Sequence, residues 1–338
     1  CALPISEGHH PYIRCIVRRT REFLETTINK ETNEYYLPRI EVDLLGEKND
    51  EALQLKGYLL QAYQIAEEFC ALLASRVKGG GFMSTLMLKR IGSTMLAGES
   101  TAKKMLAWTL EGKERLRDLY DDVFDEDEEE KEDQHSEIKE LTPEEVDCLE
   151  KLVKVLRDNK DTDPKYNKVL EILVKGVDIE GSWKDKGCIV FSQYFDSANY
   201  LARLLSLDIT DTKIGLYAGG DKSGLYYDGR FTKVTKDNLK AMVKDRKITI
   251  LVGTDAASEG LNLQTLSTLI NVDLPWNPTR LEQRKGRIQR IGQVADKILI
   301  YNMRYKDSVE DRVHSKLCER LKGIYGIFGQ IPEVLEDV

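Results

Sequence analysis

What this chain lacks narrows it first. Its 338 residues contain no uninterrupted apolar run of membrane-spanning length and no charged-then-apolar leader. Histidine is scarce, with four in all, and none of the six cysteines (positions 1, 15, 70, 148, 188 and 318) forms a C-x-x-C pair. A zinc site is therefore not expected. In a chain of this length without a leader, reduced thiols are expected rather than disulfides, and with them an intracellular, cytoplasmic setting. The chain opens on Cys1 rather than Met, as expected of a piece of a longer protein. No G-x-x-x-x-G-K-[ST] phosphate loop occurs anywhere.

A basic excess is missing too, since the formal net charge is −8. That figure misleads. Asp121 to Asp133 hold ten acids and one lysine, a local −9, which leaves the rest of the chain at +1. One acidic run thus hides a near-neutral body with basic patches, and whole-chain charge does not exclude DNA or RNA. The run has almost no apolar content to offset its ordering entropy. It reads as a solvated linker, or as an autoinhibitory strip that mimics nucleic acid.

The remaining chain holds a folded pattern, with 41% hydrophobic and 32% charged residues. Leu55, Leu59, Ala62, Ala66, Phe69, Leu73 and Val77 recur at steps of three and four, the helix period. Gly79, Gly80 and Gly81 are expected to stop that helix, and Phe82 to Leu96 to form another. Thr142-Pro143-Glu144-Glu145 is a capping box with proline at the first helical position, and Asp163-Pro164 repeats the cap-then-proline signal. From Lys186 the pattern changes to short apolar runs between amphipathic helices. Strands are expected at Cys188–Phe191, Ile214–Tyr217, Ile248–Val252, Leu269–Val272 and Ile298–Tyr301, with helices at Ala198–Leu205 and Leu239–Val243. Apolar strands alternating with helices imply an α/β fold, a parallel sheet covered on both faces, with ligands at the strands' carboxyl ends. The last helix, with Val309, Val313, Leu317 and Leu321 on one face, is expected to pack on that sheet. The Gly-rich stretch from Gly219 to Gly229 reads as a long loop without an assigned role.

Three segments carry chemistry. Val190-Phe191-Ser192-Gln193 is a strand ending in small polar groups, able to bond a phosphate or to cap the next helix. Ile250 to Gln264 is a buried strand opening into a loop of Gly, Ala and Ser punctuated by Thr254, Asp255, Glu259, Asn262 and Gln264. Small residues there let backbone N–H groups approach a ligand, though an ordinary strand-to-helix turn has the same look. Arg280 to Gln293 is basic. On one continuous helix Gln283, Arg287 and Arg290, at i, i+4 and i+7, share a face, while Arg284 points away from it. Arginine suits phosphate because its planar fork donates two parallel hydrogen bonds and keeps its charge. A solvated basic helix is the plainer reading. Gly286 and Gly292 weigh against it, as poor helix residues.

In this order and spacing the segments resemble motifs four, five and six of superfamily 2 helicases. The likeness is to the SWI/SNF-type double-stranded-DNA translocases, in the bacterial branch related to the RNA-polymerase recycling ATPase. Asp273-Leu274-Pro275-Trp276-Asn277-Pro278 ahead of Gln283-Arg284-Lys285-Gly286-Arg287-Ile288-Gln289-Arg290-Ile291-Gly292-Gln293 is similar to that family's linkage of motifs five and six. The resemblance spans Lys186 to Lys322. It extends more weakly to Arg18-Arg19-Thr20 and Leu37-Pro38-Arg39-Ile40-Glu41, similar to the exit from the family's first lobe. It implies the second, RecA-like lobe of an ATP-driven motor, preceded by a mostly helical region. On this resemblance residues 1–50 leave the first lobe, 51–118 are helical, 119–141 are the acidic linker, 142–325 the RecA-like lobe and 326–338 a tail.

The resemblance also implies roles. Gly260 and Asn262 approach the ATP ribose. Gln283 and Arg287 line the nucleotide cleft, and Arg290 is the arginine finger that meets the γ-phosphate. Ser192, Gln193 and Thr254 contact the nucleic-acid backbone, and Asp255 couples the two sites. ATP and Mg2+ are bound mainly by an N-terminal motor lobe, since the phosphate loop and the acidic magnesium motif have no counterpart here. The chain alone is therefore not expected to hydrolyse ATP. Double-stranded DNA and that N-terminal lobe are the implied partners, with a protein cargo left open and no membrane.

Rival readings remain. Asp273-Leu274-Pro275-Trp276 is similar to the base-gripping loop of amino-methyltransferases, but their F-x-G-x-G cofactor loop is missing. A non-catalytic nucleic-acid or protein binding module and a strand-separating helicase lobe of the same superfamily stay open.

Overall fold

The computed structural model describes residues 27–29, 33, 35–36, 40–76, 80–108, 141–159, 162–177, 181–258, 261, 263–290 and 292–328. The acidic run, Arg18 to Thr20, Leu37 to Arg39, Gly260 and Asn262 lie outside them. Two units divide the chain, residues 1–41 and 42–338. In the first, Ile28 bridges Tyr35 antiparallel around Asn33, whose φ is +60°.

The second unit is built on an eight-stranded sheet. Its strands are β1 (Glu41–Leu45), β2 (Cys188–Phe191), β3 (Ile214–Tyr217), β4 (Gly224–Tyr227), β5 (Arg230–Lys233), β6 (Ile250–Gly253), β7 (Thr268–Asn271) and β8 (Lys297–Asn302), in the order β1-β8-β7-β2-β6-β3-β4-β5. The core is parallel, with Cys188 beside both Ile250 and Thr268 and Phe191 beside both Gly253 and Asn271. β2, β3, β6 and β7 are buried at every position, so both faces are covered, as their unbroken apolar runs require. One face packs Val190, Val252 and Ile270 against Val169, Ile172 and Leu173 of α5 (Pro164–Lys175) and against Leu201 and Leu205 of α7 (Phe195–Asp208).

The Gly219–Gly229 stretch departs from expectation. It forms the first strand and turn of an antiparallel hairpin, β4–β5, that extends the parallel core at β3. Asp228 and Gly229 have φ of +47° and +70°, the two left-handed positions of a type I′ turn. Gly224 is a glycine because a Cβ would lie 2.5 Å from the Phe231 ring and from the Thr232 carbonyl oxygen.

Four helices form a second layer: α1 (Gly57–Arg76), α2 (Gly80–Ser93), α3 (Met95–Trp108) and α4 (Pro143–Asp158). Gly80 and Gly81 open α2, and Thr94 divides the expected Phe82–Leu96 helix by accepting the Ala97 N–H at 3.2 Å. Leu59, Ala66, Phe69 and Leu73 meet Leu149, Leu152 and Leu156, so the Thr142-capped helix closes this bundle rather than opening the sheet lobe. The last helix, α10 (Val309–Phe328), departs likewise. Its Val309, Val313 and Leu317 join the bundle's core, not the sheet's. Among the described residues no helix is long and apolar enough to cross a membrane.

Candidate nucleotide-facing site

The ends of β2, β6 and β7 converge. Backbone ladders run one residue past each strand: Ser192 N–H reaches Gly253 O at 3.1 Å, Thr254 N–H reaches Tyr217 O at 3.0 Å, and Val272 N–H reaches Phe191 O at 2.9 Å. The polar tips of the three segments are thereby brought side by side. Asp255 begins a short 3-10 turn, Asp255–Ser258, that ends the strand segment.

Asp273 organises the β2 tip. It accepts from Ser192 Oγ at 2.6 Å, Ser93 Oγ at 2.6 Å and the Gln193 N–H at 2.8 Å. Burial alone raises its carboxyl pKa, but the Arg284 charge, the two hydroxyls and Lys165 outweigh burial and hold it below the usual carboxylate range. Ser192 is fully buried and Gln193 nearly so, so both proposed backbone contacts face this carboxylate rather than solvent. Thr254 is also buried, and its carbonyl takes the Ala257 N–H at 2.7 Å.

The basic segment is not one helix. Asn277 caps α9 (Pro278–Ile288), its Oδ1 accepting the Thr279 N–H at 3.0 Å. The helix stops at Ile288. Gln293 folds back, donating to Ile288 O at 2.7 Å and Leu266 O at 2.9 Å, and Gly292 takes φ of +89°. Arg290 therefore follows the helix, and its i+7 alignment with Gln283 does not hold. The termination leaves Arg290 exposed, and its side chain has no hydrogen bond or ion pair among the described residues. Gln283 is exposed on the helix. Arg287 is half-buried, with Nε on Gln283 O at 3.3 Å and Nη1 3.5 Å from Leu261 O. The Leu263 N–H reaches Arg287 O at 3.2 Å, so the loop after β6 is laced to this helix.

Arg284, which the pattern placed away from the chemistry, is the most enclosed cation here. It is fully buried. Its Nε donates to Asp255 Oδ1 at 2.7 Å, and Nη1 donates to Asn271 Oδ1 at 2.9 Å and Asp273 O at 3.1 Å. Its guanidinium lies 5.1 Å over the Phe191 ring. Nη2 is 2.7 Å from Asp255 but out of hydrogen-bond alignment. Asp255 also takes Arg280 at 3.2 Å. The signal was in the spacing: Leu281, Arg284 and Ile288 fall at i, i+3 and i+7, on the stripe that is buried.

Residues 165–292 match the family of the helicase conserved C-terminal domain. This part of the chain is therefore similar to helicase C-terminal domains. Over 191 residues the chain is 34% identical to the uncharacterized ATP-dependent helicase YqhH of Bacillus subtilis, a match covering 56% of this chain and 30% of that protein. Over 76 residues it is 36% identical to the ATP-dependent RNA helicase DBP8 of Saccharomyces cerevisiae, covering 22% of this chain and 18% of that one. The chain thus spans under a third of the length of these relatives. Among solved structures it is similar to the C-terminal part of the Fun30 ATPase domain, at 18% identity and a TM-score of 0.47, covering 83% of this chain and 90% of that one. It is also similar to the Hef helicase domain of Pyrococcus furiosus, at 15% identity and a TM-score of 0.45, covering 82% and 57%. The sheet is the mostly parallel, helix-covered α/β sheet expected from the strand pattern, with the antiparallel hairpin and a helical layer added.

Proposed function

We propose that this helicase domain is the second motor lobe of an ATP-dependent superfamily 2 motor of the SWI/SNF type that moves along double-stranded DNA. The observation that carries the reading is the contrast within the basic segment. The helix is anchored by a buried arginine, and just past its end the exposed Arg290 side chain has no ion pair among the described residues. An exposed arginine without an ion pair among the described residues is suited to charge that arrives from outside the lobe. In the proposed motor that charge is the γ-phosphoryl group of ATP held by the N-terminal lobe, with Arg287 and Gln283 beside it and Gly260 and Asn262 toward the ribose. This reading assigns Thr254, Ser192 and Gln193, at the strand ends, to the nucleic-acid side, which requires the bonds of Ser192 and Gln193 to Asp273 to open, and it assigns Asp255 to coupling the two sites.

Magnesium belongs to the other lobe in this reading, because the acidic magnesium motif of such motors has no counterpart in this sequence. When bound it neutralises phosphate charge. Arg290 stabilises the charge that develops as the bond breaks, so its contribution falls on turnover more than on ground-state binding. Contacts to the duplex backbone position the motor without reading sequence.

Arg290→Ala in the full-length protein is expected to lower ATP turnover by about three to five powers of ten, the range of other arginine fingers. DNA affinity should change little. Arg290→Lys should rescue poorly, for want of the planar fork. Steady-state turnover with double- and single-stranded DNA as activators tests both parts. Near-normal turnover in Arg290→Ala refutes the finger, and activation by single strands with duplex unwinding moves the protein to the strand-separating class.

A further inference from the structure

We infer that Arg284 is a positioning residue for the proposed arginine pair. It clamps α9 to the 255–258 turn and to β7, so that Arg287 and Arg290 are presented in one fixed geometry. The inference rests on the motor reading above, but its basis is a separate set of contacts.

Three pieces of backbone meet at this guanidinium. Nε holds the 3-10 turn through Asp255, and Nη1 holds β7 through Asn271 and the Asp273 carbonyl. The guanidinium plane rests on Phe191 at the end of β2. One side chain thus ties together the ends of all three strands that bear motif residues. Only an arginine can do this. Its fork presents donors in fixed directions at once, which a lysine's single ammonium cannot.

The clamp is itself clamped. Asn271 Nδ2 donates to Asn302 Oδ1 at 2.7 Å, and Asn302 donates to Glu47. Glu47 lies 2.6 Å from His314 Nε2. Asn271, Asn302 and Glu47 are all buried. The orientation of Arg284 is therefore fixed from behind by a polar chain crossing β7 and β8, as the geometry of a preorganised site requires.

Downstream of the clamp the path to Arg290 is short and stiff. One helical turn separates Arg284 from Ile288, which is fully buried, and Gln293 locks the exit of the helix. The Arg290 side chain has no hydrogen bond or ion pair among the described residues that could hold it independently. Its backbone is held at the helix exit, with its N–H on Ile288 O and its carbonyl taking the Gln293 N–H, both at 3.0 Å, so its placement follows that of α9, which Arg284 anchors. A misplacement of about 1 Å at a distance from the chemistry can cost about a hundredfold in rate.

The test uses the full-length protein with Arg284→Gln, Arg284→Lys and Leu152→Ala, the last a destabilising control in the helical layer. Arg284→Lys keeps a charge opposite Asp255 and covers the case in which Arg284→Gln does not fold. Two readouts are needed. Amide hydrogen exchange should quicken in peptides covering 278–290 and 254–258 in the Arg284 variants and stay unchanged in α1 and α4. With DNA saturating, kcat should fall about a hundredfold with KM for ATP within about twofold. Combined with Arg290→Ala, Arg284→Gln should slow turnover by less than the product of the two single losses, because the part of its effect that acts through Arg290 is already gone.

Leu152→Ala should leave kcat near wild type at temperatures where it is folded. Unchanged exchange and unchanged kcat in folded Arg284→Lys overturn the clamp, as does a multiplicative loss in the double variant. If Arg290→Ala alone keeps full turnover, the finger reading fails, while the exchange data still decide whether Arg284 holds this region.

Discussion

The helical layer and the seam between it and the sheet are both buried, but they are built from opposite materials. Inside the layer Leu59, Ala66, Phe69, Leu73, Leu149 and Leu152 pack with no polar partner to satisfy. At the seam the side chains are Ser93, Thr94, Asp163, Lys165, Ser192, Ser197, Asp273 and Glu310, all buried and hydrogen-bonded. Apolar contacts are non-directional and tolerate sliding. A satisfied polar network accepts one arrangement, because any shift leaves a group unpaired. The layer is thus assembled by hydrophobicity and placed on the sheet by hydrogen bonds.

The sharpest way to break this contrast is at Lys165. Its Nζ donates to Glu310 Oε1 at 2.6 Å and to the Val272 carbonyl, and it is fully buried. Burial pushes the Glu310 carboxyl up to about 7, with Lys165 opposing the rise. Lys165→Met leaves a buried carboxylate without its cation and should cost about 3–5 kcal/mol in denaturant unfolding. Lys165→Met with Glu310→Met should recover most of that, since replacing both members of a buried pair is often near neutral. Leu152→Ala, in the layer, should cost about 2–5 kcal/mol through the cavity it opens. A double variant as unstable as Lys165→Met would show that the seam is not specified by this pair.

The same contrast explains what was legible in the sequence. Periodicity found α1 and the parallel strands because apolar burial repeats with the element's own geometry. Thr142 and Asp163 were readable as caps because capping is local, completed within three residues. Asp273 is part of the segment that carries the resemblance, but nothing local reveals that it binds Ser93, 180 positions away. Arg284 does point away from the Gln283 and Arg287 face, as the helix period implies, but its spacing from Leu281 puts it on the buried stripe, where its contacts to Asp255 and Asn271 have no local signature. Arg290 was placed on a helix that Gln293 ends, a contact with no periodic signature. The hairpin was missed with its signal in view, since Asp228-Gly229 between Leu225-Tyr226 and Phe231-Thr232 is a type I′ turn sequence. Roles for Gly260 and Asn262 rest on the resemblance alone.

A gentler probe lies at the far end of the polar chain. His314 sits 2.6 Å from Glu47 and 4.0 Å from Cys318. Burial by itself lowers its pKa, but the hydrogen bonds to Cys318 and Glu47 and the carboxylate charge outweigh burial and raise it from 6.5 to about 9. A raised histidine stabilises fully below its unfolded value, and the contribution is lost as pH rises through the folded value. Wild type should therefore lose thermal midpoint between pH 6.5 and about 9 relative to His314→Gln. Glu310 titrates in a lower window, from 4.5 to about 7, and cancels in the difference. Parallel pH profiles for the two proteins would show that the imidazolium is not part of the seam.

The smallest expected effect tests a long-range polar tie of the layer at α4. Thr142 Oγ1 accepts the Glu145 N–H at 3.3 Å, and Glu145 Oε2 accepts the Thr142 N–H at 2.8 Å, a reciprocal cap. Glu145 is fully buried and also receives Arg76 Nη2 from α1 at 2.6 Å. Thr142→Ala removes one of these bonds while leaving the glutamate on both its other partners. Loss of an N-cap hydroxyl typically costs about 1 kcal/mol, and Thr142→Ser should cost almost nothing. If Glu145 served only the cap, Glu145→Gln would cost no more than Thr142→Ala, because an amide oxygen can still take the Thr142 N–H. The Arg76 pair adds a second loss, so Glu145→Gln should be the more damaging of the two in denaturant unfolding. The reverse order would mean that the helical layer, like its apolar core, is indifferent to charge, and that buried ionic placement is confined to the seam.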